Sequence, residues 1–182
     1  MKIAVCGPRE FGSCQETEDV RIIYTGLANL VTDGTILATG GTAGFPERVL
    51  EGVKRTRQKV FAEAYTPCAD NKEWDDYFAK GIASQRDLFD RIIFSQEGGD
   101  FKLRALRRIP HLVHGSDVIL AYLNQHAKNT YIELLTAQSF GIPTLVLYHE
   151  AEIMQKTLMN SGIHVSSPEE LVEKLNEFIE NR

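Results

Sequence analysis

The sequence lacks the features that would place a protein in a membrane, in a secretory route or on nucleic acid. No apolar run approaches the roughly 20 residues of a transmembrane helix, and residues 1–5 resemble a strand rather than a signal peptide. The net charge is -5, whereas a broad nucleic-acid-binding surface needs an excess of basic residues. We therefore expect a cytoplasmic protein that contacts neither membranes nor nucleic acid.

Cysteine is scarce as well. The chain has 3 cysteines, Cys6, Cys14 and Cys68, and their odd number and irregular spacing argue against a disulfide framework. Neither they nor the 5 histidines have the spacing of a zinc site. We expect no metal and no cofactor.

The sequence does contain a regular alternation of apolar strand patterns and helix patterns along its 182 residues. It predicts strands at 2–6, 35–39, 59–64, 117–123, 143–148 and 163–165, and helices at about 16–32, 45–56, 101–114, 130–138, 150–160 and 168–179. This order predicts an α/β fold with a doubly wound, mostly parallel Rossmann-like sheet and helices on both faces. We expect one domain over residues 1–182, in which residues 66–110 form a lid-like insertion of short helices and loops.

The most informative motif is Gly-Gly-Thr-Ala-Gly-Phe-Pro-Glu at residues 40–47, which joins a strand pattern to a helix pattern. Such a turn brings backbone N–H groups and a positive helix terminus together, which suits a phosphate-binding loop. An ordinary tight turn is the alternative interpretation. Because ligands bind beyond the carboxyl ends of parallel strands, the expected binding residues are Gly7, Pro8, Arg9, Gly40, Gly41, Thr42, Gly44, Glu47, Asn129 and Thr130.

Two further features follow this motif in the chain. Arg108 precedes a Ser-Asp pair and a buried strand, and Thr130 and Glu133 begin the next helix. This order resembles the Rossmann-like superfamily that contains the LOG proteins, also known as lysine decarboxylase-like proteins, and DNA-processing protein A. The resemblance covers most of the chain except the insertion.

The resemblance implies a nucleotide or nucleoside ligand and the hydrolysis of the N-glycosidic bond of a nucleoside monophosphate. Carried over, Glu133 is the catalytic carboxylate that stabilises the developing oxocarbenium charge. Arg108 is the second catalytic residue, a cation that positions the phosphate and the ribose. Because relatives usually dimerise, the resemblance also implies a homodimer.

The chain departs from the family pattern at residues 125–130. It has Gln-His-Ala-Lys-Asn-Thr where the family has Pro-Gly-Gly-x-Gly-Thr. This leaves three hypotheses open: an N-glycosidase, a non-catalytic nucleotide sensor or binder, and a nucleoside deoxyribosyltransferase-like enzyme with Glu133 as the nucleophile. The roles of two other residues also stay open. Trp74 could anchor the lid or stack on a base. Glu63 could contact a ribose or lie in solvent at the end of its strand.

Overall fold

Seven parallel strands form the central sheet. The structure is a computed structural model that describes residues 1–10, 13–57, 59–96, 98–148 and 162–182. The strands are β1 Lys2–Cys6, β2 Ile36–Thr39, β3 Phe61–Thr66, β4 Arg91–Phe94, β5 Val118–Leu123, β6 Thr144–Tyr148 and β7 Ile163–Val165.

The strand order in the sheet is β4-β3-β2-β1-β5-β6-β7. The chain therefore winds outward from β1 in one direction and then returns to continue from β5 in the other, which places the reversal of strand order between β1 and β5. All strand pairs are parallel, with Ala4 paired to Ala38 on one side and to Ile119 on the other. The predicted doubly wound α/β class is confirmed.

Helices cover both faces of this sheet. They are α1 Cys14–Leu30, α2 Phe45–Thr56, α3 Asn71–Ala79, α4 Phe101–Arg107, α5 Ile109–Val113, α6 Lys128–Ser139 and α7 Pro168–Glu180, with a short 3-10 turn at Arg86–Leu88. Helices α1, α2 and α7 contribute to the hydrophobic core on one face, and α5 and α6 to the core on the other. No helix of the described residues is long and apolar enough to cross a membrane.

The helix caps follow local sequence. Ser13 and Glu16 form a reciprocal capping box at the start of α1. The sequence Ser-Pro-Glu-Glu at residues 167–170 also has the pattern of a capping box. The Ser167 hydroxyl does accept the Glu170 N–H. The Glu170 carboxylate instead accepts hydrogen bonds from the backbone N–H and the hydroxyl of Ser166, one residue earlier.

The insertion differs from the prediction because it contains a strand. β4 adds to the free edge of β3, with Glu63 opposite Arg91 and Tyr65 opposite Ile93. Its residues are half-buried or exposed, since it is an edge strand, so its sequence shows no buried apolar run. β3 begins and ends about two residues later in the chain than predicted. The predicted helix at 150–160 lies outside the described residues.

Candidate functional site

A cavity of about 610 Å³ opens beyond the carboxyl ends of the central strands. It lies at the reversal of strand order, where doubly wound sheets bind their ligands. Most of the predicted site residues line it: Gly7, Pro8, Arg9, Gly40, Thr42, Arg108, Asn129, Thr130 and Glu133. Gly41, Gly44 and Glu47 do not.

Helix α4, from the insertion, supplies another part of the cavity wall. Phe101, Lys102, Ala105 and Leu106 line the cavity from this side, together with Ile82. Sequence reasoning placed a cover here but identified none of these residues, because the apolar pattern of the insertion is irregular.

Arg108 and Glu133 form a buried ion pair in the cavity. The Arg108 Nη2 atom lies 3.6 Å from Glu133 Oε1, and the two side chains are each 6% exposed. Arg108 is placed at the junction of α4 and α5, and Glu133 in the second turn of α6. The fold thus brings together two charged residues that are 25 positions apart in the chain, as the family resemblance implies.

The Glu133 carboxyl lies in a buried environment that shifts its pKa. Burial raises its pKa, and the Arg108 charge and the neighbouring Cys6 thiol oppose that rise. Burial also raises the pKa of Cys6 well above its ordinary value, with Glu133 adding to the shift. Cys6 is thus a neutral thiol at the end of β1, and sequence reasoning gave it no part in the site.

The predicted glycines each make room for protein atoms. A Cβ on Gly40 would lie 2.5 Å from Arg108 Nη1, so a larger residue at position 40 would displace the guanidinium from its place. A Cβ on Gly7 would lie 2.4 Å from the Phe45 ring, and one on Gly44 would lie 2.5 Å from the carbonyl oxygens of Pro8 and Arg9. The turn therefore needs glycine for internal packing, whether or not a ligand approaches it.

Three of the backbone N–H groups of this turn donate hydrogen bonds within the protein. Gly41 donates to Thr39 Oγ1 at 3.0 Å, Ala43 to the Ile82 carbonyl at 3.0 Å, and Phe45 to the Pro8 carbonyl at 3.0 Å. The Glu47 carboxylate accepts the Gln85 N–H at 2.9 Å and so ties α2 to the insertion. The phosphate-binding role of residues 40–44 stays a prediction.

We expect Gly41→Val to destabilise the fold. Gly41 has φ +66, and its Cβ would lie 2.8 Å from the Trp74 ring, which is fully buried. Backbone strain and overpacking each cost about 1–3 kcal/mol, so the free energy of unfolding should fall by roughly 2–6 kcal/mol in urea denaturation. Gly81→Val, at φ +67 but with open space around it, controls for backbone strain alone, and equal losses in the two variants would exclude the Trp74 contact as a cause.

The loop before α6 is held by Asn124. Its Nδ2 donates to Glu16 Oε1 at 2.8 Å and to the Glu10 carbonyl at 3.1 Å, and its Oδ1 accepts the His126 N–H at 2.9 Å. This network joins the loop after β5 to the loop after β1. The spacing of the residues gave no signal of it, since the partners are more than 100 residues apart in the chain.

Helix α6 begins at the cavity without a side-chain cap. Ala127 occupies the N-cap position, and Lys128, Asn129 and Thr130 form the first turn and line the cavity. An uncapped helix N-terminus carries partial positive charge and favours an anion. His126, at the same rim, lies 3.4 Å from the Glu10 carboxylate.

Two residues with open roles lie away from the cavity. Trp74 is fully buried and donates from Nε1 to the Ser84 carbonyl at 3.2 Å, so the lid-anchor interpretation is confirmed and its ring has no free face for a base. Glu63 is also buried and pairs with Lys2 at 3.1 Å and with Arg91 at 3.2 Å. Glu63 therefore fits neither of its two interpretations, a residue that contacts a ribose or a solvated residue at a strand end.

Solved structures share this fold. A molybdenum cofactor binding protein from Rippkaea orientalis is 21% identical with a TM-score of 0.68, over 98% of this chain and 96% of that chain. The molybdenum cofactor carrier protein of Chlamydomonas reinhardtii is 14% identical with a TM-score of 0.65, over 98% of each chain. DNA processing protein A from Helicobacter pylori, described with a single-stranded DNA binding mode, is 16% identical with a TM-score of 0.66, over 97% of this chain and 80% of that chain.

These likenesses show that the chain has the Rossmann-like fold of DNA processing protein A and of the molybdenum cofactor carrier protein. No protein-family model matches the sequence, and no curated protein matches it significantly.

Proposed function

We propose that this protein binds a phosphorylated small molecule of the nucleotide type in the cavity. The observation that supports this most is the state of Arg108. Its side chain is buried, yet Nε and Nη1 have no hydrogen-bond partner within the described residues, and its one ion pair spans 3.6 Å. A buried cation with so few partners is costly, and an anionic ligand would supply what it lacks.

The charges around Arg108 support the same proposal. Arg9, Lys102 and Lys128 line the cavity, and the N-terminal, positive end of α6 lies at it. With Arg108 these basic residues outnumber the two carboxylates of the lining, Glu10 and Glu133. The protein as a whole carries a net charge of -5, so positive charge collected in one concave place favours a small anion over a long polyanion. We propose that the phosphate group lies against Lys128 and Thr130, with the sugar above Glu133.

The fold neighbours give the comparison ligands for a test. Two of them bind or carry molybdenum cofactor and one binds single-stranded DNA. We expect calorimetric titration to detect binding of a nucleoside monophosphate or of molybdenum cofactor. We expect it to detect no binding of a single-stranded oligonucleotide. Binding of the oligonucleotide alone would overturn the proposal.

Lys128→Glu is expected to weaken binding of that ligand about tenfold or more, because it reverses a charge at the phosphate position. Lys59→Glu makes the same change at a side chain that is 81% exposed, outside the cavity lining. Calorimetric affinities that fall equally in both variants would show that net charge, and not this cavity, governs binding.

Hydrolysis of the N-glycosidic bond is the second candidate function. The observation in its favour is that Glu133 lines the same cavity as Arg108 and Thr130. A carboxylate beneath the sugar could stabilise positive charge on the anomeric carbon. Deoxyribosyl transfer would use the same carboxylate as a nucleophile, and a covalent glycosyl group on Glu133 would identify that alternative.

We also propose a homodimer. Ile132, Leu135 and Phe140, in and just after α6, are 40%, 46% and 48% exposed. Large apolar side chains grouped on one surface are typical of an interface. We expect light scattering to show a dimer for the wild type and a monomer for Leu135→Glu. Leu103→Glu is the matched control and should stay dimeric, since Leu103 is 40% exposed but lies on α4. Two monomeric variants, or a monomeric wild type, would contradict the α6 interface.

A further inference from the structure

The lining of the cavity contains two groups of residues with different chemistry. The polar group includes Arg108, Lys128 and Thr130. The second group, which we call the apolar wall, comes from α4 and from the part of the insertion before it. Its members are Pro67, Ile82, Phe101, Ala105 and Leu106. Because Phe101 and Ala105 are four positions apart in α4, they lie on the same face of the helix.

Contacts within the insertion hold the apolar wall in place. Arg104 donates from Nε to the Pro67 carbonyl at 2.7 Å. The Ile82 N–H donates to the Tyr77 carbonyl at 2.9 Å, and the Tyr77 ring stacks on the Phe101 ring with 4.0 Å between the ring centroids. The wall is therefore formed before a ligand arrives, which lowers the entropic cost of binding against it.

The apolar wall offers a ligand few hydrogen-bonding groups. The Ile82 N–H and carbonyl are both used within the protein, by Tyr77 and Ala43, and the Pro67 carbonyl already accepts from the insertion. Among the described side chains that the wall and α4 contribute to the cavity lining, Lys102 is the one with a hydrogen-bond donor. Such a surface binds a ring by apolar contact and shape, and it distinguishes poorly between polar groups on the edge of the ring.

Leu106 gives the wall an apolar surface that is still open to water. The residue is 43% exposed although it lines the cavity. A ligand that covers this side chain gains binding free energy, because apolar surface is removed from water. A phosphate or a sugar is too polar to do so, whereas the face of an aromatic ring is well suited to it.

We infer that the ligand carries a flat aromatic ring as well as its phosphate, and that this ring packs on the apolar wall against Leu106 and Phe101. The wall selects a ring by its size and apolar area, and it recognises no pattern of hydrogen bonds on the ring edge. The ligand class is a phosphorylated compound with a purine-sized heterocycle. This inference rests on the proposed function, which places the phosphate at Lys128 and Thr130, and it assigns the other end of the ligand.

The test is a set of nuclear magnetic resonance titrations of the full chain with adenosine monophosphate, inosine monophosphate and ribose 5-phosphate. The backbone amide signals of Lys128 and Thr130 give a dissociation constant for each compound, since all three carry the phosphate. We expect the constants of the two nucleotides, whose rings differ in the hydrogen-bonding groups on one edge, to agree within about threefold. Ribose 5-phosphate should bind about tenfold more weakly or worse, because it lacks the ring.

Leu106→Ala should weaken the binding of adenosine monophosphate about fivefold and leave the binding of ribose 5-phosphate unchanged, because it removes apolar contact with the ring alone. Leu103→Ala is the matched control and should change neither affinity. It makes the same substitution on the same helix, at a residue that is 40% exposed and outside the cavity lining.

The outcomes separate this inference from the proposed function. Equal affinities for ribose 5-phosphate and adenosine monophosphate would overturn the ring site and leave the proposed phosphate position standing. So would an equal loss of nucleotide affinity in Leu106→Ala and Leu103→Ala, or a difference of about tenfold or more between the two nucleotides, which requires recognition of the ring edge. The absence of saturable shifts at Lys128 and Thr130 with all three compounds would contradict the proposed function and this inference together.

Discussion

Replacing Arg108 by methionine is expected to abolish measurable nucleotide binding and to lower the free energy of unfolding by about 3–5 kcal/mol at neutral pH. The variant removes one partner of a buried ion pair, which leaves the Glu133 charge uncompensated. It keeps most of the aliphatic length of the side chain, so the space beside Gly40 stays partly filled. Calorimetric titration and urea denaturation measure the two effects.

The loss of stability in Arg108→Met should depend on pH in a defined direction. With the arginine present, burial already raises the pKa of Glu133, and Arg108 lowers it. Without the cation the folded-state pKa rises further above the value in the unfolded chain. The folded state then keeps a proton that the unfolded chain releases, so stability is fully present below the unfolded pKa. It should fall by up to about 1.4 kcal/mol per pH unit as the pH rises toward the folded pKa.

Two comparisons separate this explanation from a general loss of packing. The double variant Arg108→Met, Glu133→Leu removes both charges and should recover most of the lost stability, without the pH dependence. Arg55→Met, at a side chain 76% exposed that pairs with Glu51, should change stability by less than about 0.5 kcal/mol. A pH-independent loss in Arg108→Met would contradict the buried-pair account.

The order of strands and helices was predictable because each central strand is buried on both faces. β5 is buried at every residue, and its near-continuous apolar sequence shows this directly. β4 was missed for the opposite reason. It has four residues, its burial is incomplete, and its place in the sheet depends on pairing with β3, a long-range contact that no local pattern records.

The candidate site was predictable in its place but less so in its chemistry. The rule for parallel sheets and the family resemblance together select Arg108, Thr130 and Glu133, and all three line the cavity. The sequence could not show that the atoms beside Gly40 and Gly41 belong to Arg108 and Trp74. A sequence shows only that a glycine is present, and it does not show whether the atom that approaches the glycine belongs to a ligand or to the protein itself.

The partners of Glu63 illustrate the same limit. Lys2 on β1 and Arg91 on β4 pair with its carboxylate, and they are 61 and 28 residues away in the chain. A glutamate at a strand end near a predicted site invites a ligand-binding role when only the sequence is available. Tertiary pairing explains its burial without a ligand.

Glu133→Gln is expected to slow the release of free base from a nucleoside monophosphate by about 10²-fold or more, if the protein is a hydrolase. The variant keeps the size and hydrogen-bonding capacity of the side chain but removes the charge aimed at the transition state. Ligand affinity should change much less, because the phosphate contacts proposed at Lys128 and Thr130 remain. Base release followed by chromatography, beside calorimetric affinity, measures the two quantities.

Glu10→Gln is the matched control for this variant, since Glu10 lines the same cavity but its side chain is 63% exposed. We expect its rate of base release to stay within about threefold of the wild type, because solvent screens an exposed charge from the reacting sugar. Equal rates in wild type and Glu133→Gln would contradict the catalytic assignment of Glu133. A wild type that binds nucleoside monophosphates and releases no base from any of them would contradict hydrolysis, and the cavity would then serve binding alone.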